Sequence, residues 1–200
     1  MVDVKGKWAL VTGANRGVGY RIAKFMASNG CNLILHSRSL EHTAKVLEEV
    51  KAMGVEAYDI AAELSDPSQV QKMIDAIKAK GTQVDILFND AAVQIAYRVD
   101  YYKTPVDDYS QSFYINTIAP MMLCYAFIPP MIERGFGRVI NTTSGIRNEP
   151  EQAGYSASKA ALDKVTLDLA GKVDGTDVII SLTDPGWCRT DLGGPNAPND

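Results

Sequence analysis

Cysteine is scarce in this 200-residue chain: Cys31, Cys124 and Cys188 are odd in number and far apart. That spacing provides neither a disulfide framework nor a thiolate metal site, and fits reduced thiols in a cytoplasmic protein. Histidine is scarcer, with only His36 and His42. Neither lies near Ser144 in sequence, so a nucleophilic hydrolase has no base, and no metal site is expected. Basic blocks are missing too. The chain has 20 Lys and Arg against 24 Asp and Glu, a net charge of -4, which argues against nucleic acid as the partner. The N-terminus, Met1 to Lys7, lacks the apolar run of a secretory signal. The greasiest stretch, Ile118 to Ile132, is interrupted by Pro120, Pro129 and Pro130. It falls short of the ~20 apolar residues of a membrane span, and reads as a buried helix with a broken end. There is no internal repeat, low-complexity tract or linker, so one domain over 1–200 is expected. Its last residues, Gly193 to Asp200, form a loop without an apolar anchor that frays.

What is present is 46% apolar and 22% charged residues, enough for a sizeable core. Short apolar runs alternate with helix-period segments. Strands are predicted at Trp8 to Val11, Asn32 to His36, Val55 to Ile60, Val84 to Phe88, Arg138 to Thr142 and Val178 to Leu182. Helices are predicted at Val18 to Ser28, Leu40 to Met53, Pro67 to Lys80, Tyr109 to Ile128 and Ala153 to Val173. Asp66-Pro67-Ser68-Gln69 offers a capping Asp, Pro at the first helical position and Gln at the capping-box position. Gly30, Gly54 and Gly81 stand where left-handed residues end helices. Strict alternation implies an α/β fold: a Rossmann-type, doubly wound parallel sheet in three α/β/α layers, with six strands.

The first strand runs into Thr12-Gly13-Ala14-Asn15-Arg16-Gly17-Val18-Gly19, and a helix follows. Glycines in such a turn let the backbone approach a pyrophosphate, and the helix N-terminus offers free N–H groups to it. Gly13, Asn15, Arg16, Gly17, Val18 and Gly19 are therefore candidate cofactor contacts; a plain tight turn is the alternative. After the second strand an acid would bind the adenosine ribose and repel a 2′-phosphate. The chain has His36-Ser37-Arg38 there. Arg38 and Arg16 with the Ser37 hydroxyl can clamp a 2′-phosphate, so NADP(H) is expected over NAD(H). Two solvated loop arginines are the other reading.

Tyr155-Ser156-Ala157-Ser158-Lys159 places a phenol and an ammonium on one helical face. A phenol with a pKa near 10 shuttles protons poorly at neutral pH, and a nearby cation lowers that pKa. Tuned this way, Tyr155 gives a proton to a carbonyl or takes one from an alcohol. Taken alone, the pair also fits an ordinary amphipathic helix.

Together these segments resemble the short-chain dehydrogenase/reductase family, in particular its carbonyl reductases, over nearly the whole chain. Thr12 to Gly19 is similar to its T-G-x-x-x-G-x-G motif, and Asn89-Asp90-Ala91-Ala92 to its N-N-A-G. Asn116 falls in the following long helix, Ser144 ends the fifth strand, and Tyr155 to Lys159 is a Y-x-x-x-K motif. Asp184 to Thr190 is similar to its P-G-x-x-x-T segment. The resemblance implies that Tyr155 is the general acid/base, Lys159 lowers its pKa and binds the nicotinamide ribose, and Ser144 orients the substrate oxygen. It implies that Asn116 holds a water linking Lys159 to solvent. Glu63, Leu64, Asn89 and Ala91 would line the adenosine side, and Pro185, Gly186, Cys188 and Thr190 the carboxamide side. The activity implied is hydride transfer between NADP(H) and a small-molecule carbonyl or alcohol. A cofactor-binding sensor or scaffold of the same fold is the alternative.

Several positions depart from the pattern. Asp90 and Ala92 replace Asn and Gly, which costs N–H donors and adds a charge. Glu63 stands where an Asp usually contacts adenine. Family members usually continue with another helix and a seventh strand, whereas this sequence stops soon after Thr190, either as a short natural variant or because the tail is omitted; without that strand the sixth is an edge that proteins normally cover. A homodimer or homotetramer is expected, joined through the long helix around Met121 to Phe127 and the helix after Tyr155.

Overall fold

The computed structural model describes residues 2–199. Met1 and Asp200, the ends of the expected domain and of its terminal loop, lie outside the described residues. Strands β1 (Trp8–Thr12), β2 (Asn32–Ser37), β3 (Ala57–Ala61), β4 (Ile86–Asn89), β5 (Gly137–Thr142) and β6 (Val178–Thr183) pair in the order β3-β2-β1-β4-β5-β6. Every pairing is parallel. The helices are α1 (Gly17–Ser28), α2 (Leu40–Lys51), α3 (Pro67–Ala79), α4 (Val106–Phe113), α5 (Ala119–Glu133) and α6 (Ala153–Lys172).

The strands are apolar without alternation because both faces of the sheet are covered. Leu10, Ile34, Leu87 and Val139 point to one side, where Ile74 and Ile77 of α3 and Leu123, Phe127 and Met131 of α5 meet them. Ala9, Val11, Leu33, Leu35 and Ile86 point to the other, against Ala23 and Met26 of α1 and Val46 and Val50 of α2. The fold class expected from the alternation is the fold observed. The chain reverses its direction of winding between β1 and β4, and in such sheets ligands bind outside the carboxyl ends of the strands at that crevice.

Details differ where packing outweighs local signals. β4 begins at Ile86 rather than Val84, and β3 spans Ala57–Ala61. The expected helix over 109–128 is continuous from Val106 to Glu133, with a wide π-helical turn at Tyr114–Ile118. Its expected broken end is corrected: Pro129 and Pro130 lie inside α5. The N–H of Pro129 would have served the carbonyl of Tyr125, on the exposed side, while Phe127, Ile128 and Met131 bury the opposite face and keep the chain helical. The segment is long and apolar enough by composition to span a membrane, yet packs as a core helix, with 56% of its apolar window buried. Asp66 caps α3 as expected, accepting the Ser68 N–H at 2.9 Å. Gln69 does not close the capping box; its oxygen takes the Glu63 N–H at 3.0 Å instead. The loop expected to fray at 193–200 is also corrected over its described part. Ala197 is buried, and Asn199 bonds Trp187 and Arg189 through the backbone at 3.1 and 2.7 Å.

Candidate active site

The site assembles at the carboxyl ends of β1, β4, β5 and β6. β1 ends in Thr12, whose hydroxyl oxygen accepts the N–H groups of Asp90 and Ala91, both at 3.0 Å, and donates to Phe88. This stitch locks the turn after β1 to the segment after β4. Gly13 then takes φ +69°, and a Cβ there would come within 3.0 Å of the Ala91 backbone. A Cβ on Gly19 would collide with the Gly13 carbonyl and lie 3.0 Å from Asp90 Oδ2. Backbone therefore crowds backbone beneath the N-terminus of α1, leaving a cradle walled by main chain. His36 supports it from below: Nδ1 accepts the Gly13 N–H at 3.4 Å and Nε2 bonds the Ala62 carbonyl at 3.1 Å. Burial holds its pKa down to about 4, so the ring is neutral.

Arg16 and Arg38 do not form one clamp. Arg16 pairs with Asp191 at 3.1 Å, both largely exposed, while Arg38 stands exposed after β2. Thr190 sits over the cradle, its Cβ and Cγ2 3.4 Å from where Gly17 would carry a Cβ. Asn15 and Val18 are half-buried in the same turn. Ser37 is buried and donates to the Ser39 carbonyl at 2.5 Å. Glu63 turns inward on its own loop, accepting the Ser65 N–H at 3.0 Å, and Leu64 packs in the core. Asn89 lies inside the fold. Its amide donates to Asn141 at 2.8 Å, and Asn141 donates to Thr166 at 2.8 Å. Only the backbone of Asn89 is left to line a cofactor, whereas Ala91 packs directly against Gly13.

The second half of the site is the face of α6. Lys159 is 2% exposed and donates to the Thr142 carbonyl at 2.7 Å. Burial pulls its pKa down to about 8, opposed by the carboxylates of Asp90, Asp163 and Asp184. Tyr155 is 8% exposed. Its pKa is raised, chiefly by burial; the nearby Ser144 hydroxyl pulls it down and the Asp184 charge adds to the rise. The lowered phenol pKa expected from Lys159 is thus corrected. Burial of the phenol sets the direction, and the Lys159 ammonium is directed at the Thr142 carbonyl. Ser144, half-buried after β5, accepts the Ile146 N–H at 3.3 Å.

Asp90 links the two halves. Its carboxylate accepts the Thr142 hydroxyl at 2.9 Å. Burial raises its pKa, while Thr142, the Lys159 charge and the Gly19 N–H work against the rise. Asn116, held in the π-helical turn, exchanges two hydrogen bonds of 2.9 Å with the Val93 backbone and donates to Ser158 at 3.0 Å. Both amide hydrogens are used, so the side chain ties the β4 exit to α6 rather than donating to a water. Beyond β6, Asp184 accepts the Gly145 and Gly186 N–H groups. Cys188 donates to Pro185 at 3.2 Å, and Thr190 accepts the Gly193 N–H at 3.1 Å.

The structure therefore brings Gly13, Gly17, Gly19, Ala91 and Thr190 to one cradle, and Ser144, Tyr155 and Lys159 to its neighbour. It does not bring Arg16 and Arg38 to a common point. Sequence reasoning missed Thr12, His36 and Asp184, which act through contacts between distant segments. Among the described residues no group of three or more His, Cys, Asp or Glu could hold a metal ion.

A family model described as short chain dehydrogenase matches residues 7–200. A short chain dehydrogenase of Pseudocercospora fijiensis is 32% identical over 97% of this chain and 63% of that protein. The chain spans less than two thirds of the length of such curated relatives. A metagenomic short-chain oxidoreductase crystallised with NADP superposes with a TM-score of 0.85 at 31% identity, over 94% of this chain and 86% of that one. A short-chain dehydrogenase/reductase from Burkholderia phymatum in complex with NAD gives 0.86 at 29% identity, over 96% and 69%.

Proposed function

Because this chain belongs to the short chain dehydrogenase family, we propose that it is an NADP(H)-dependent oxidoreductase acting on a carbonyl/alcohol pair. The observation that carries the reading is Asp90, which reaches the Gly19 N–H on one side and the Thr142–Lys159 pair on the other. One short side chain thus spans the main-chain cradle and the titratable cluster, so a dinucleotide seated in the first presents its far end to the second.

The cradle residues fit such a cofactor: the crowded Gly13 and Gly19 leave room only for main chain, and the α1 N-terminus favours an anion. When bound, a nicotinamide supplies or accepts the hydride. The chain's own residues do the rest. Ser144 orients the substrate oxygen by a hydrogen bond. Tyr155 donates its proton to that oxygen in reduction and removes it in oxidation. Lys159 holds the ribose hydroxyls, and its partial positive charge steadies the phenolate once it forms. Arg38 and Arg16 select the 2′-phosphate of NADP(H), Arg16 after exchanging Asp191 for phosphate. Relatives of the fold crystallised with both NADP and NAD, so the preference rests on these arginines. The three free thiols accord with a reducing, cytoplasmic setting.

Assay of Tyr155→Phe over a panel of aldehydes and ketones with NADPH tests the assignment. We expect kcat to fall at least ~100-fold, the scale of general acid catalysis, with NADPH binding kept. Turnover at the wild-type level in the variant would remove Tyr155 from the mechanism. The Arg16–Asp191 pair across the turn and the raised Tyr155 pKa favour a second reading, a cofactor-binding sensor. NADPH binding by the wild type without turnover on any carbonyl would select it.

A further inference from the structure

Asp184 lies where the β5–β6 ladder gives out. Backbone pairing runs to Thr142 opposite Thr183 and ends with the Thr143 N–H on the Thr183 carbonyl at 2.8 Å. The next residues, Ser144 and Asp184, begin two loops that form opposite walls of the site. The Asp184 carboxylate carries the connection one step further. Oδ2 accepts the Gly145 N–H at 2.7 Å and Oδ1 accepts the Gly186 N–H at 2.8 Å. The fit is tight on the Ser144 side, since a Cβ on Gly145 would sit 2.9 Å from Oδ2. One carboxylate therefore fixes both the residue after Ser144 and the residue after Pro185.

The same charge faces the reacting groups. Tyr155 receives the Ser144 hydroxyl from the β5 exit and the Asp184 charge from the β6 exit. Lys159 receives Asp90 from the β4 exit, Asp163 from its own helix and Asp184 from the β6 exit. Asp163 is engaged by the Thr143 hydroxyl and Asp90 by the Thr142 hydroxyl. Of the three carboxylates, only Asp184 acts on both Tyr155 and Lys159.

We propose that Asp184 is a positioning residue that clamps the Ser144 loop to the Pro185–Gly186 turn, so that Ser144 is held in place beside Tyr155. The inference rests on the assignment of Tyr155 as the acid. In reduction the substrate carbon receives a hydride from the reduced nicotinamide. Its oxygen receives the Tyr155 proton, and oxidised nicotinamide and a phenolate remain, the latter reprotonated from solvent. A negative charge beside the phenol opposes the phenolate, the form that alcohol oxidation needs at its start.

Asp184→Asn removes the charge and leaves one acceptor. The alkaline limb of kcat/KM for reduction is expected to move to lower pH, because the charge that raises the Tyr155 pKa is gone. Two readouts need no turnover. The Lys159 ammonium, followed by heteronuclear NMR, should titrate below its wild-type midpoint, and at least one of the Gly145 and Gly186 amides should exchange faster. Asp184→Ser should show the same shifts if Asn disturbs folding. Lys159 titration and amide exchange superimposable on wild type overturn the proposal, even if the melting temperature falls. A wild type without turnover sinks the oxidoreductase reading, and the amide and Lys159 readouts then decide the clamp alone.

Discussion

Among the described residues no ion pair or side-chain hydrogen bond explains Arg38 just after β2; it is exposed where an acid would accept ribose hydroxyls. Arg16 is engaged by Asp191, but both are exposed and such a pair contributes little, about 0–1 kcal/mol. On the proposed reading a phosphate dianion displaces Asp191 from Arg16, and the exposed Arg38 is free to swing to it. Arg38→Ala should lower kcat/KM for NADPH by roughly 10- to 100-fold, the scale of one charge-assisted bond, and leave that for NADH nearly unchanged. An equal loss with both cofactors would contradict 2′-phosphate recognition. At this scale the residues that announce themselves by motif, such as Tyr155, Lys159 and the glycines, were legible because their spacing is their chemistry. Thr12, His36 and Asp184 were not. Each works by reaching a backbone group some 20 to 80 positions away, and no local pattern encodes that. Nor could spacing alone show that Lys159 would be aimed at Thr142 or that burial would raise the Tyr155 pKa.

Among the elements, α1 is the most constrained. It starts against β1's exit loop so closely that a Cβ on Gly19 would run into the Gly13 carbonyl and the Asp90 carboxylate. An added methyl there cannot be absorbed by a side chain swinging away, because its nearest neighbour is backbone. Gly19→Ala should force α1 outward, lower stability by about 1–3 kcal/mol and weaken NADPH binding at least ~10-fold. Gly171→Ala in α6 is the internal control: nothing lies within 4 Å of the added carbon, so helix propensity alone predicts a gain of up to ~1 kcal/mol. Thermal melts of both variants with NADPH titration check the pair; a Gly19→Ala protein that binds and melts like wild type would deny the close packing. The elements themselves were readable because helix and strand periods differ and caps such as Asp66 mark starts. The π-helical turn that seats Asn116 and the two prolines within α5 were not, because tertiary burial of Phe127 and Met131 decides them.

At the level of the whole molecule, alternation of strand and helix implied a parallel sheet, and the right-handed crossover rule leaves few strand orders; the observed β3-β2-β1-β4-β5-β6 is one of them. What remains is surface. The continuous helix from 106 to 133 and its neighbour α6 leave apolar side chains in solvent: Val106 is 78%, Tyr125 64% and Leu167 63% exposed, with Tyr114 and Ile118 partly so. Apolar residues this exposed along one helical ridge seldom stay in water in monomeric proteins. The partner we propose is a second copy of the chain, since helices α4, α5 and α6 leave exposed apolar side chains that a two-fold axis can pair with themselves. A standard interface would cover about 800 Å² per subunit. Light scattering at micromolar concentration should therefore give at least twice the mass of one chain. Ile118→Asp with Leu167→Asp should return it to one chain, because two carboxylates would have to be desolvated in each half of the interface. A wild-type protein that scatters as a monomer would leave the ridge without this explanation, and a double variant that stays dimeric would move the contact to another face of the molecule.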